Sequence, residues 1–186
     1  LLGRSAKDAK VRLQALGTLD GLRALTPEFV MAALQDPHFA VREHAVRLSE
    51  SWLAGSAPLG EALLPLVKDP SVRVRYQLAF TLGEWDSPIA GQALGELAVN
   101  GADDPHLQTA VMTSAARHVG EMLVVAMQNP QQGKVIEQLL GFASAANDEP
   151  ALIKSLAVVA QIADAPVEAW RFSAVAGLLD SLDRRK

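Results

Sequence analysis

Apolar residues recur along much of this chain at the spacing of one helix face. Val41, Ala45, Leu48 and Trp52 fall at i, i+4, i+7 and i+11, and Val74, Leu78, Thr81 and Trp85 repeat the pattern. At 3.6 residues per turn, such positions share one side of a helix. The two stripes lie 33 residues apart, and the same offset carries Asp36-Pro37 onto Asp69-Pro70 and Val41-Arg42 onto Val74-Arg75. A repeat of that length reads as a helix–turn–helix unit. In this reading the Asp caps the second helix and the Pro opens its first turn, where no N–H is needed. The same Pro also stops the helix before it.

A third copy aligns Asp104-Pro105 with Asp69-Pro70 at an offset of 35, with residues 100–103 as an inserted loop and Ala110 at the Arg position. A partial copy precedes the others, Val11-Arg12 lying 30 residues before Val41-Arg42. The last third keeps the helical period without the Asp-Pro signature. Helices are expected near 119–128, 132–146, 149–163 and 166–183, with breaks at Asn129-Pro130, between Asn147 and Pro150, and at Ala165-Pro166. No stretch shows a strand pattern. One helix pair cannot bury its apolar stripe alone, but stacked neighbours can share a core. The pattern therefore predicts an all-α fold, an α-solenoid of about five to six stacked antiparallel helix pairs. It forms one domain over residues 1–186, with clear repeats to 118 and degenerate ones over 119–186. Starting at Leu1 in what reads as mid-element, the chain is expected to be a segment of a larger protein.

The spacing of Asp-Pro, Val-Arg and Ala resembles the HEAT repeat, clearly from residue 6 to about 118. More narrowly, residues 11–22, 36–50 and 75–84 resemble the HEAT segment of bacterial membrane-bound-dehydrogenase-like proteins. In that family a sugar-dehydrogenase-like propeller precedes the helical array and a c-type cytochrome domain follows it. The resemblance implies export to the periplasm or cell surface and a place in an electron-transfer polypeptide. It also implies that the second helix of each pair lines an inner surface.

Composition narrows the chemistry. Apolar residues make up 49% of the chain and charged residues 20%, which is globular composition. The net charge of -4 argues against a nucleic-acid surface, which needs a basic face to neutralise phosphates. No apolar run approaches the roughly 20 residues of a membrane helix, so no membrane insertion by this segment is expected. The absence of cysteine removes disulfides, thiolate metal sites and a CxxCH haem attachment from these residues. His38, His44, His106 and His118 offer no pair at i, i+4 and no HExxH, and there is no phosphate loop, GxGxxG or GxSxG motif. No cofactor, metal or catalytic residue is therefore expected.

Arg12, Arg42 and Arg75 recur once per unit. They read either as a stripe for anionic ligands or, as the HEAT resemblance implies, as a structural ladder. In the ladder each Arg bonds an Asp or a backbone carbonyl of an adjoining turn, and Asp8, Asp36 and Asp69 are available. Trp52 and Trp85 continue their apolar stripes and are expected in the core, whereas Trp170 is bound by no repeat. Asp103-Asp104 read as helix caps. Off the stripe, Ala40, Glu43 and Arg47 correspond to Arg73, Tyr76 and Phe80 in the next unit. Exposed aromatics beside Arg suit a protein contact, so Arg47, Arg73, Tyr76 and Phe80 form the candidate contact site. They could equally pack against the neighbouring helix layer. The expected function is a non-enzymatic scaffold for protein–protein or interdomain contacts. The alternative is nucleic-acid binding on the inner face, as in HEAT-like DNA glycosylases, with Arg42, Arg47, Arg73, Arg75 and Arg117 as its material.

Overall fold

The computed structural model describes residues 6–145 together with Ile153. Among the described residues the protein is all-helical, with nine α-helices, short 3-10 turns and no strand. The expected helices at 149–163 and 166–183, and Trp170, lie outside them. The chain divides into two compact units, Leu1–Trp85 and Asp86–Lys186.

The first unit holds α1 (Ala9–Gly21), α2 (Pro27–Ala33), α3 (Phe39–Ser49), α4 (Ala57–Leu63) and α5 (Val72–Glu84). Helix α3 packs on α1, α2 and α5. The predicted stripes are buried: Val41, Ala45, Val74 and Leu78 are fully covered, as is Thr81. Burying a side chain of this size contributes about 1.5–3 kcal/mol, so the stripe is what joins the helices. Trp52 departs from the expectation. After Ser49 the chain tightens into a 3-10 turn over Glu50–Trp52, with three residues per turn instead of 3.6. The phase shifts, Leu53 takes the buried place, and Trp52 is half-buried. Trp85 does reach the core. Its ring lies where a Cβ on Gly60 would sit, 2.4 Å from Cη2.

Arginines tie this unit together. Arg12 donates to Asp36 through Nε at 2.6 Å and Nη2 at 2.7 Å. Arg42 repeats the arrangement on Asp69 at 2.7 and 2.8 Å. In both, Nη1 donates to the carbonyl six residues earlier, Ala6 at 2.7 Å and Asp36 at 2.9 Å. Arg75 keeps that bond to Asp69 at 2.6 Å. The ladder is therefore structural. Burial pushes the Asp36 carboxyl up, but the Arg12 bond, the His38 N–H and the charge of Arg12 outweigh it and hold Asp36 below its ordinary range. The hydrogen bond to Asp69 raises Arg42.

The Asp-Pro turns work differently from the expectation. Asp36 and Asp69 stand two residues before the N-caps His38 and Ser71, accepting the N–H of each at 2.8 Å. Each carboxylate thus fixes the turn with one oxygen while both oxygens hold an arginine. The prolines fall in the turn, not in the helix.

Helix α1 ends in a Schellman motif. Ala24 N–H reaches Leu19 O and Arg23 N–H reaches Asp20 O, both at 2.8 Å. Arg23 takes the left-handed position at φ 54°, where glycine is usual. A Cβ there costs about 1 kcal/mol, partly offset by the greater freedom glycine has when unfolded. Arg23→Gly is expected to raise the melting temperature by about 2 °C, read by circular dichroism.

The second unit holds α6 (Pro88–Asn100), α7 (Pro105–Thr113), α8 (Val119–Met127) and α9 (Gly133–Ala145). Here Asp104 is itself the N-cap, accepting from His106 N and Leu107 N, and Pro105 opens the helix. The N-caps of α3, α5 and α7 are therefore His38, Ser71 and Asp104, evenly 33 residues apart. The offset of 35 and the inserted loop are corrected: the dipeptide moved, not the helix. Counted from the cap, Gln108 and not Ala110 occupies the Arg position. Its Nε2 donates to Ala98 O at 2.6 Å. Helix α6 packs closely on α8, and α8 on α9. Val119, Met122, Leu123 and Ala126 are fully buried against them, as are Ile136, Leu139 and Ala143.

Candidate functional site

Helices α3 and α5 lie against each other one repeat apart, so positions 40, 43, 44 and 47 pair with 73, 76, 77 and 80. The polar face they leave, with Leu13 from α1, encloses a groove of about 220 Å³ lined by Ala40, Glu43, His44, Arg47, Arg73 and Gln77. Arg47 and Arg73, two of the four candidate contact residues, both line it. Phe80 stands outside the groove lining and is 46% exposed. Tyr76 is half-buried and does not line the groove. His44 and Gln77 were missed by the sequence reading. The signal was present, since they share one repeat position adjacent to Glu43 and Tyr76.

Arg73 is held from two sides. Its Nε lies 3.1 Å from Glu43 Oε2 and its Nη2 3.2 Å from Oε1. Its Cζ stands 5.4 Å from the Phe39 ring centroid, and Phe39 stacks on His38 at 4.9 Å. The ion pair is solvent-facing and worth at most about 1 kcal/mol, so it orients the guanidinium more than it stabilises the fold.

Arg47 is exposed, and among the described residues its guanidinium bonds an imidazole: Nη2 lies 3.2 Å from His44 Nδ1. A guanidinium can only donate, so Nδ1 accepts and the His44 proton sits on Nε2. Burial, then the charge of Arg47, lower the His44 pKa, against the opposing pull of Asp20 and Glu43.

Glu50 is engaged at the rear of this face, accepting from Thr81 Oγ1 at 2.6 Å and Gln77 Nε2 at 3.3 Å. The groove presents the remaining donors of two guanidinium groups and an imidazole N–H beside the Glu43 carboxylate, the Gln77 amide N–H groups being spent on Glu50 and Thr81. Such a set receives anions and acceptor groups. It contains no nucleophile with an adjacent base.

A second groove, about 710 Å³, lies in the other unit between α7 and α9, lined by Asp103, Thr109, Met112, Lys134, Gln138 and Phe142 among others. The buried Oε1 of Gln108, which has no hydrogen-bond partner among the described residues, belongs to a residue on its wall. No sequence signal marked this groove. Among the described residues, no three His, Cys, Asp or Glu side chains group as metal ligands, and no helix is long and apolar enough to cross a membrane. Compared with protein-family models, curated proteins and solved structures, the chain matches none of them.

Proposed function

We propose that this chain is a HEAT-like α-solenoid segment acting as a non-enzymatic scaffold, which holds a partner protein or a neighbouring domain against the α1/α3/α5 face. The observation that carries this reading is a division of labour among arginines. Arg12 and Arg42 are consumed in the ladder that fixes the turns, each bonding an aspartate and a carbonyl. Arg47 and Arg73 take no part in that ladder and are exposed, as is the aromatic Phe80, which stands one repeat on from Arg47. Arginine and aromatic residues dominate protein-contact hot spots. The local charge is mixed, since Glu43 accompanies Arg73, which suits a protein partner better than a phosphate backbone.

Photo-crosslinking in the native host tests the reading. A photoreactive residue at position 80 is expected to give a discrete protein adduct that Arg47→Glu abolishes. The same residue at the exposed Glu61 position of α4 is expected to give none. Adducts of equal yield from both positions, or an adduct to nucleic acid, would refute it.

A further inference from the structure

We infer that the groove across α1, α3 and α5 receives a carboxylate side chain from an acidic segment of the partner, with Arg47 as the cation that binds it. The inference rests on the scaffold reading and adds the chemistry of the occupant.

The argument starts from a donor census. Arg12 and Arg42 each spend Nε and Nη2 on an aspartate and Nη1 on carbonyls. Arg73 spends Nε and Nη2 on Glu43. Arg47 spends one N–H on His44 Nδ1. Among the described residues no carboxylate takes its remaining donors, although the same fork elsewhere in this chain binds aspartate bidentately. Paired donors of this geometry match carboxylates.

Size decides between a side chain and a free ligand. Pockets for drug-sized molecules run to about 300–1,000 Å³, and this groove holds about 220 Å³. A single Asp or Glu side chain matches that size better than a nucleotide does. Sign decides between acidic and basic partners. Arg47 and Arg73 against Glu43 leave the groove one positive charge in a chain of net charge -4. Phe80, one repeat on from Arg47, offers apolar surface to the residues flanking the bound carboxylate.

The test uses the full chain and three labelled probes followed by fluorescence anisotropy: a Glu-rich peptide with interspersed Leu, the same peptide with Lys for Glu, and a short DNA duplex. Inorganic phosphate serves as a competitor. The acidic peptide is expected to bind and the other two are not. Arg47→Ala is expected to weaken binding about 10-fold, and Lys68→Ala, on an exposed residue outside the groove lining, to leave it unchanged. Glu43→Gln removes the internal carboxylate that competes for Arg73, so it is expected to tighten binding several-fold. A role in folding alone would not produce that gain. Circular dichroism melts matching the parent chain would show that the variants fold. Binding insensitive to Arg47→Ala, equal binding of the Lys peptide or duplex, or full displacement by millimolar phosphate would overturn the inference. Failure with the acidic peptide while the position-80 adduct persists sinks this inference alone; loss of both sinks the scaffold reading as well.

Discussion

Asp69→Ala is expected to lower the melting temperature of the chain by about 10 °C, from a loss of about 3–5 kcal/mol. Asp69 is 5% exposed and serves two structures at once. It receives Arg42 Nε at 2.7 Å and Nη2 at 2.8 Å, and the Ser71 N–H that opens α5 at 2.8 Å. Truncation leaves the Arg42 guanidinium, whose side chain is 12% exposed, without its anion. It also orphans a backbone donor at a helix start. The cost comes from what is left behind more than from the pair itself. Exchanging both partners together, Arg42→Met with Asp69→Leu, is therefore expected to recover most of the loss. Asp69→Asn keeps an acceptor for Ser71 and is expected to fall between. Asp103→Ala, at an exposed position, is expected to move the midpoint by less than 2 °C. Thermal melts of the set decide: an Asp69→Ala midpoint within 2 °C of the parent would remove the ladder from the account of stability.

The ladder was legible because it repeats with the sequence period. Arg12 and Arg42 sit four residues after the N-caps Asp8 and His38, and their carboxylates come from the next turn. The helices expected near 119–128 and 132–146 are found at Val119–Met127 and Gly133–Ala145. The stripes at Val41, Ala45 and Leu48 were legible for the same reason. Trp52 was not, because a 3-10 turn shifts the helical phase without a glycine or proline to announce it. The third copy misled because one dipeptide does two jobs. Asp-Pro forms a pre-cap turn at residues 36 and 69, and a cap with first helical residue at 104. Alignment by letters therefore put Ala110 where the helix start puts Gln108. At the candidate site Arg47 and Arg73 line one groove, while the repeat register matched Arg47 with Phe80. It could not show that Tyr76 would turn partly inward and Phe80 outward, since that depends on what packs around α5. The groove between α7 and α9 depends on the distance between two helices that share no sequence motif. The packing of α6 on α8 is likewise set by side chains that are missing, which a search for apolar stripes overlooks.

Those missing side chains belong to Gly91 and Gly95, four residues apart on one face of α6. A Cβ on Gly95 would stand 2.8 Å from Val125 Cβ and 3.1 Å from Met122 Cα; one on Gly91 would stand 2.7 Å from Glu121 Cβ. The first obstacle at Gly95 is a side-chain root and the second is backbone, so neither can rotate away. Helix α8 lies on a strip of bare α6 backbone, and dispersion contacts over that strip join the two helices. Gly95→Leu must push α8 outward or distort α6. Overpacking of this kind costs about 1–3 kcal/mol, while replacing glycine inside a helix returns up to about 1 kcal/mol. The net expectation for Gly95→Leu is a loss of about 2 kcal/mol and a midpoint lower by about 6 °C. Gly95→Ala, whose Cβ already meets Val125 Cβ at 2.8 Å, should also lower the midpoint, though by less than Leu. Gly141 in α9 separates the two terms, because a Cβ there meets nothing within 4 Å among the described residues. Gly141→Ala should gain the helix term alone and raise the midpoint by about 2 °C. If Gly95→Leu melted as high as the parent while Gly141→Ala rose, α8 could not be seated on α6 at the distance described.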